Sequence, residues 1–472
     1  MTTPDQPGGQ WPQQPGQWPP GQQPQGGYPQ GTPQYGYPQQ PTPPQGYPPP
    51  GPEGYPQTQY YGQPGYPPPA PAGKSKRGLV IGLVIALVVL AGGGVGTWFA
   101  LSGDDSGAAT PTEAVMNLAN SVGNGDVVGL LSSLSPAEAS LFTDPVTDVT
   151  NELKRLKILD ESADPKALSG LQITTANLTF DEAAAEQVND HVTITKLTGG
   201  TITITSDPAK LPLGGDLKDQ VPSAKPDVET IDIAEEVRDS GEPVRLATVK
   251  VDGEWYPSLL YTIADYALKD AGQKWPSTSI PAAGAASAND AVKQLVQAAL
   301  DADVRRVIEL LPPDEMAVLH DAGPAILDAL GDEAEPSGAK ILDLQTQTSE
   351  VRGGTRATVT SVRIQAPSGA EFSVRKDGDC YAVEGGGENQ RLCAEDLSDQ
   401  IESQTGELLP SAVVDVLDNL GSGILAQGVG VITTEVDGKH YVSPVRTFVE
   451  QGLTILRSLK PEDITALLRA AN

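Results

Sequence analysis

The chain has 472 residues and a formal charge of −30 at pH 7, from 61 acidic and 31 basic side chains. A surface this acidic repels phosphates, which excludes nucleic acid as an expected partner. The length suggests two or three domains, and two cysteines and three histidines leave little material for a metal site.

Residues 1–73 form a low-complexity segment rich in Pro, Gln, Gly and Tyr. Almost no aliphatic residue is available there to build a core, so burial cannot offset the entropy of ordering and we predict a disordered tail. The tripeptide Gly-Tyr-Pro recurs in it, centred on Tyr28, Tyr37, Tyr47, Tyr55 and Tyr66. These repeats either recruit partners and self-associate through their rings, or belong to a simple spacer.

An uninterrupted apolar run, 78–101, follows three basic residues within 74–77. A helix of this length would span roughly 36 Å, enough to cross a hydrocarbon core of about 30 Å, so we predict a transmembrane helix over 78–101. Two aspartates at 104–105 follow the run. The positive-inside rule then predicts a single-pass plasma-membrane protein with a cytoplasmic N-terminus and extracellular C-terminal domains.

The rest of the chain contains an internal duplication. Residues 113–153 align without a gap with residues 290–330, at a constant offset of 177. The matching pairs include Leu118/Leu295, Asp126/Asp303, Val127/Val304, Leu134/Leu311, Pro136/Pro313, Glu138/Glu315, Asp144/Asp321 and Leu153/Leu330. We therefore expect tandem copies of one domain.

A second match closes each copy, since 251–258 resembles 436–443 at an offset of 185. Two matches in the same order predict two domains, 107–274 (repeat one) and 288–472 (repeat two). The Pro/Ala/Gly/Ser-rich stretch 275–287 is the predicted linker.

Each copy is predicted to contain helices, then strands, then a hairpin and a closing helix. In repeat one, Ser135, Pro136 and Glu138 have the spacing of a capping box at a helix start. The dipeptide Asp252-Gly253 between β-rich flanks indicates a hairpin turn. Helices followed by an antiparallel sheet describe an α+β domain.

The closing pieces, Val-Asp-Gly-Glu-Trp-Tyr at 251–256 and Val-Asp-Gly-Lys-His-Tyr at 436–441, are similar to a hairpin of exported NTF2-like proteins. With the openings Glu-Ala-Val at 113–115 and Asp-Ala-Val at 290–292, the layout resembles the NTF2-like, cystatin-like superfamily. That resemblance implies helices packed on a curved antiparallel sheet whose mouth can hold a ligand. The whole chain also resembles actinobacterial single-pass membrane proteins of uncharacterised function with a Pro/Gln/Tyr-rich tail. Both copies are longer than a minimal domain of the superfamily.

No catalytic, cofactor-binding or metal-binding constellation emerges from the motifs. His191, His320 and His440 lie far apart in sequence, and we interpret each as structural. We expect a non-enzymatic protein whose exported domains bind or sense a cell-envelope component while the tail recruits cytoplasmic partners. The alternative is a pocket-bearing ligand carrier or enzyme on an NTF2-like cone. The ligand, the partner and the oligomeric state stay open.

The two cysteines, Cys380 and Cys393, are predicted to form a disulfide, since an oxidising compartment lets a bridge persist. If Gly386-Gly387 is a two-residue type I′ turn, the cysteines stand opposite each other with Cα atoms about 4.5 Å apart. A three-residue loop would move them out of opposition. Two buried free thiols are the alternative to a bridge.

Overall fold

The computed structural model describes residues 107–122, 127–164, 171–218, 226–331, 335–394, 396 and 411–470. The predicted tail (1–73) and the predicted transmembrane helix (78–101) lie outside these residues.

Repeat one contains three helices, then strands, then a hairpin and a closing helix, in the predicted order. Its helices are α1 Pro111–Val122, α2 Val127–Ser132, α3 Pro136–Arg155, α4 Gly215–Lys218, α5 Ile233–Ser240 and α6 Leu259–Asp270. Its strands are β1 Leu171–Phe180, β2 Glu186–Gln187, β3 Val192–Ser206, β4 Asp227–Asp232, β5 Val244–Val251 and β6 Glu254–Ser258. Short 3₁₀ turns occupy Glu182–Ala184 and Pro208–Lys210.

Repeat two follows the same order with more strands in its middle. Its helices are α7 Ala288–Leu300, α8 Val304–Glu309, α9 Ala317–Leu330, α10 Ser411–Gln427, α11 Pro444–Ser458 and α12 Pro461–Ala470. Its strands are β7 Lys340–Val351, β8 Gly354–Gln365, β9 Glu371–Asp377, β10 Cys380–Gly385, β11 Glu388–Cys393, β12 Gly430–Val436 and β13 Lys439–Val442.

Each repeat has one antiparallel sheet. In repeat one the order is β1-β3-β5-β6, with β2 and β4 also paired to β3. In repeat two the order is β11-β10-β9-β8-β12-β13, with β7 also paired to β8. Strands β3 and β8 therefore hold equivalent places, and the turns that precede them, before Val192 and before Gly354, are equivalent too.

Apolar faces of the helices pack on these sheets. In repeat two, Ala291 and Val292 of α7 lie in one cluster with Ile341, Leu344 and Ala357 of the sheet. Burial of such faces removes apolar area from water and supplies most of the stability of the fold. The α+β class, with helices on curved antiparallel sheets, is confirmed.

A further apolar cluster joins the repeats. Leu141 of α3 packs with Leu311 and Met316 of repeat two, and all three are buried. The segment predicted as a linker is also packed, since Ile280 is buried and its N–H donates to the His320 carbonyl at 2.9 Å. The predicted domain limits stay a prediction, but the repeats share a core.

The duplication is visible in backbone pairing at the start of each repeat. Ala108 forms an antiparallel bridge with Trp255, and Ala285 forms one with His440. The offsets of 177 and 185 relate these pairs to each other. His440 thus occupies the hairpin position of Trp255.

The hairpin turns have the predicted geometry. Asp252 and Gly253 both have positive φ, and Val251 pairs with Glu254 across the two-residue turn. In the β10–β11 hairpin, Gly385 pairs with Glu388 around Gly386-Gly387. Such turns match the twist of the flanking strands.

The structure contains the disulfide between Cys380 and Cys393. The two residues are directly opposite in the β10–β11 ladder, with Cα atoms 4.3 Å apart. This is the register that a two-residue loop predicts, so the bridge closes the open end of the hairpin.

The membrane assignments need correction. Among the helices of the described ranges, none is long and apolar enough to cross a membrane. The 20-residue helix α3 illustrates the reason: it carries acidic and basic residues and buries only one face, whereas a spanning helix needs about 20 predominantly apolar residues. The structure therefore does not support the prediction that the fold includes a transmembrane helix. It also does not support the predictions that the membrane is a partner and that the protein is a single-pass plasma-membrane protein with extracellular domains.

Candidate functional site

Each repeat holds a buried glutamate near its third helix. This glutamate contacts the serine that caps the closing helix, the one directly after the last hairpin (α6 in repeat one and α11 in repeat two). Glu138 is 4% exposed and accepts hydrogen bonds from the Ser258 hydroxyl and the Leu259 N–H, the latter at 2.8 Å. Glu315 is 6% exposed and accepts from the Ser443 hydroxyl at 2.6 Å. The same contact ties opening and closing helices together in both repeats.

The capping box predicted at the start of α3 is wrong. Ser135 makes no side-chain cap, although Pro136 does stand in the first turn. The N–H of Ser135 donates to the Pro257 carbonyl at 3.1 Å, and the Glu138 carboxylate is turned to Ser258 instead. A buried carboxylate needs donors around it, and the cap of a distant helix supplies two.

The third residue of each closing helix reaches across to the other repeat. Tyr261 donates from Oη to Asp321 Oδ2 at 2.8 Å, and Arg446 donates from Nη1 to Asp144 Oδ2 at 2.8 Å. The 185-residue offset relates Tyr261 to Arg446, and the 177-residue offset relates Asp144 to Asp321. The repeats exchange equivalent contacts, as subunits do across a two-fold interface.

Around Tyr261, other side chains fill the space. The Tyr261 ring stacks on Trp275 with centroids 5.7 Å apart, and Trp275 Nε1 donates to Asp265 Oδ1 at 2.9 Å. His191, at the turn before β3, has Nε2 2.9 Å from Asp321 Oδ2. The hydrogen bond with Asp321 is the main cause that raises the pKa of His191 to about 9.

The His191 ring is expected to titrate with a midpoint near pH 9, since the Asp321 carboxylate stabilises the imidazolium. This folded-state pKa is above the usual 6.5, so the contact adds stability that is fully present below pH 6.5 and lost as the pH rises through about 9. NMR of the ring protons measures the midpoint, and Asp321→Asn should lower it. A wild-type midpoint at 6.5 would contradict the assignment.

Around Arg446, the equivalent space is an open cleft of about 210 Å³. Its walls are the middle of α3, the β7–β8 turn and one face of α11. The lining residues are Asp144, Pro145, Asp148, Val351, Arg352, Ile432, Arg446, Val449, Glu450, Leu453 and Arg457. Lys460 stands at the position that the 185-residue offset gives for Trp275, and its Nζ donates to Asn419 Oδ1 at 2.6 Å. The second position lacks the ring that covers the first.

The β7–β8 turn comes close to the ion pair in the cleft. Gly353 has a φ of +73°, and a Cβ atom there would overlap Arg446 Nη1 and lie 2.8 Å from Asp144 Oδ2. Both the backbone conformation and the close approach require glycine. The neighbouring Arg352 is exposed at the rim.

Arg446 is 8% exposed and its donors are engaged. Nε donates to Glu315 Oε1 at 2.6 Å, Nη1 to Asp144, and Nη2 to the Ser140 hydroxyl at 3.2 Å. Burial alone would lower the pKa of Arg446, but the two carboxylates outweigh it and raise that pKa. Burial raises the pKa of Glu315, and the positive charge of Arg446 lowers it by less than burial raises it. The guanidinium therefore links both repeats as a cation.

A second buried acid lies on the same face of α11. Glu450 Oε1 accepts from Arg356 Nε at 2.8 Å and from Arg457 Nη1 at 3.0 Å. Its counterpart in repeat one, Asp265, pairs with Arg245. Both repeats thus keep a buried acid on the closing helix but supply its arginine from different strands, β5 and β8.

The histidines and cysteines singled out in the sequence do not line this cleft, whereas Asp144 does. His320 has ring nitrogens 2.9 and 3.1 Å from the carbonyls of Ile280 and Leu311, while His440 lies in β13. The cysteines are in the β10–β11 hairpin and do not line the cleft. Within the described ranges, no group of three or more His, Cys, Asp and Glu side chains could hold a metal ion.

Sequence reasoning missed Asp148, Arg352, Arg446 and Glu450 as lining residues. A signal was present in the alignment of the copies. The pairs Glu138/Glu315 and Asp144/Asp321 keep acidic side chains at buried or half-buried positions, which is costly without partners. Such pairs mark the interface between the repeats.

Comparison with known proteins assigns no family. No family model matches the chain. No curated protein matches it either. A distant structural neighbour is described as an "Ntf2 like protein involved in plasmid conjugation"; the match covers 61% of this chain and 91% of that chain at 10% identity. The TM-score of this match is 0.15, so the neighbour carries no argument about the fold or the function of this chain.

Proposed function

We propose that this protein is a non-enzymatic binding protein whose ligand site is the cleft between the repeats. The observation that supports the proposal is the difference between two equivalent positions. Trp275 and His191 fill the space around Tyr261, whereas the space around Arg446 stays open. A cavity kept at one of two related positions, with buried charged groups in its walls, is a feature of binding sites.

The composition of the cleft favours binding over catalysis. Its lining contains aspartate, glutamate, arginine, proline and aliphatic side chains, and no Ser, Cys, His, Lys or Tyr is among these described residues. Arginine does not release a proton in proteins, so it cannot act as a general acid. Asp144 and Glu450 are each paired with an arginine, which leaves Asp148 as a lone carboxylate with no nucleophile and no second unpaired acid beside it in the lining.

The α11 wall presents one helical face to the cleft, formed by Arg446, Val449, Glu450, Leu453 and Arg457. Val449 is half-buried in this wall. Replacing it by tryptophan should fill the cleft without removing a charge. Phe448 is 81% exposed on the same helix and does not line the cleft, so Phe448→Trp is the matched control.

The experiment is a thermal-shift and NMR screen of a defined panel of amino acids, carboxylates, amines and sugars against the wild type and both variants. We expect at least one compound class to bind the wild type and Phe448→Trp but not Val449→Trp. Circular dichroism checks that both variants are folded. Binding that persists in Val449→Trp, or a panel with no ligand at all, would overturn the proposal.

A further inference from the structure

The cleft has walls of opposite charge. Repeat one contributes Asp144 and Asp148, four residues apart and therefore on one face of α3. Repeat two contributes three arginines, Arg352, Arg446 and Arg457, and one carboxylate, Glu450. A ligand between these walls meets carboxylates on one side and a wall with more guanidinium groups than carboxylates on the other.

Most of these charges are already used within the protein. Arg446 donates to Glu315, Asp144 and Ser140, as described above. Arg457 donates to Glu450 and lies 4.0 Å from Glu152.

Two charged side chains of the lining, Asp148 and Arg352, are not among these paired groups. Within the described residues, neither Asp148 nor Arg352 has a hydrogen-bond or ion-pair partner. Arg352 is exposed at the rim and Asp148 is half-buried in the α3 wall. The cleft therefore offers one carboxylate and one guanidinium to a ligand, and both groups form strong hydrogen bonds when they meet an opposite charge.

Between the charged groups the surface is aliphatic. Ile432, Val449 and Leu453 line the cleft from β12 and α11. The volume of about 210 Å³ is smaller than the roughly 300–1,000 Å³ of sites for drug-sized ligands. The site therefore suits a small molecule with one apolar group and two opposite charges.

The charge of the whole chain also affects which ligands reach the cleft. A formal charge of −30 repels anions and attracts cations of any kind. A zwitterion has no net charge, so its binding depends on the paired contacts and not on this general field.

We propose that the cleft binds a free α-amino acid with an aliphatic side chain, with its ammonium group on Asp148 and its carboxylate on Arg352. This inference rests on the proposed function and names the ligand class of that site. The aliphatic side chain packs on Val449 and Leu453.

The test uses L-leucine, N-acetyl-L-leucine and L-leucinamide as probes, with binding measured by calorimetry and NMR. N-acetylation removes the ammonium charge and amidation removes the carboxylate. Each change should weaken binding about ten- to a hundredfold, the equivalent of one charge-assisted hydrogen bond. Asp148→Asn and Arg352→Gln should each weaken leucine binding by a similar factor.

Each of these two variants also tests one end of the ligand by itself. Asp148→Asn should no longer discriminate leucine from its N-acetyl derivative, and Arg352→Gln should no longer discriminate it from the amide. Arg363→Gln, an exposed arginine of β8 outside the cleft, should bind like the wild type.

Equal binding of the three probes, or no leucine binding at millimolar concentration, overturns the amino-acid assignment. If another compound class then binds in a manner that Val449→Trp abolishes, the proposed binding function stands and only its ligand class is wrong. If nothing binds in that manner, both fail.

Discussion

Replacing Arg446 by methionine is expected to lower the free energy of unfolding by about 3–5 kcal/mol, the cost of breaking a buried ion pair by removing one partner. The guanidinium of Arg446 is the cation beside the buried carboxylate of Glu315, and it also holds Asp144 of the other repeat. Without it, the Ser443 hydroxyl is the one remaining hydrogen-bond donor to the Glu315 carboxylate among the residues that the structure describes. Urea denaturation followed by circular dichroism measures the loss.

Two controls separate the lost charge from lost packing. The double variant Arg446→Met with Glu315→Gln removes the unpaired carboxylate, so it should recover part of the stability. Tyr261→Phe, at the equivalent position in repeat one, removes one hydroxyl donor while Asp321 keeps His191, so it should cost about 1–2 kcal/mol. An Arg446→Met variant as stable as Tyr261→Phe would show that the cation is not needed at the interface.

Replacing Glu138 by glutamine is expected to stabilise the protein above pH 7 and to flatten the pH dependence of its stability. Burial is the main cause that raises the pKa of Glu138 from 4.5 to about 7, against the hydrogen bonds from Ser258 and Leu259. Between these values the folded state holds the proton and the unfolded state does not. The free energy of unfolding therefore falls as the pH rises from 4.5 to 7, by about 3 kcal/mol in total at about 1.4 kcal/mol per pH unit.

Denaturant titrations of the wild type and Glu138→Gln at pH 4.5, 6 and 8 test this expectation. The difference between the two proteins should grow with pH, because glutamine carries no charge at any pH. Its one acceptor oxygen and its NH2 group take the places of the two carboxylate oxygens beside Ser258 and Leu259. Glu235→Gln, at an exposed position of α5, is the matched control and should follow the wild type. Parallel curves for the wild type and Glu138→Gln would disprove the raised pKa.

The two repeats share one arrangement of residues at their interface but differ at one position of it. Both keep a glutamate, a capping serine and a cross-repeat aspartate. Repeat two pairs its glutamate with Arg446, whereas repeat one has Tyr261 at that position. Among the described residues, the hydrogen-bond donors to Glu138 are the neutral Ser258 hydroxyl and Leu259 N–H. The pair of a buried glutamate and an arginine therefore lies on the side of the interface that holds the cleft.

The sequence alone determined the duplication, the hairpins at Asp252-Gly253 and Gly386-Gly387, and the opposition of Cys380 and Cys393. These features depend on short-range geometry: a two-residue turn sets which residues face each other, and alternation along a strand sets the side of the sheet.

Only the tertiary structure decided where Glu138 makes its contacts and that a cleft lies beside Arg446. Local spacing favoured a capping box at Ser135, but the partner of Glu138 is Ser258, 120 residues further along the chain. The apolar faces of the helices pack mainly on the sheets, but Leu141 of α3 packs on Leu311 and Met316 of the other repeat. The physical reason is that a buried charged group is costly unless it is hydrogen-bonded. The donors that it bonds are those that tertiary packing brings close, and these can lie far away in the sequence.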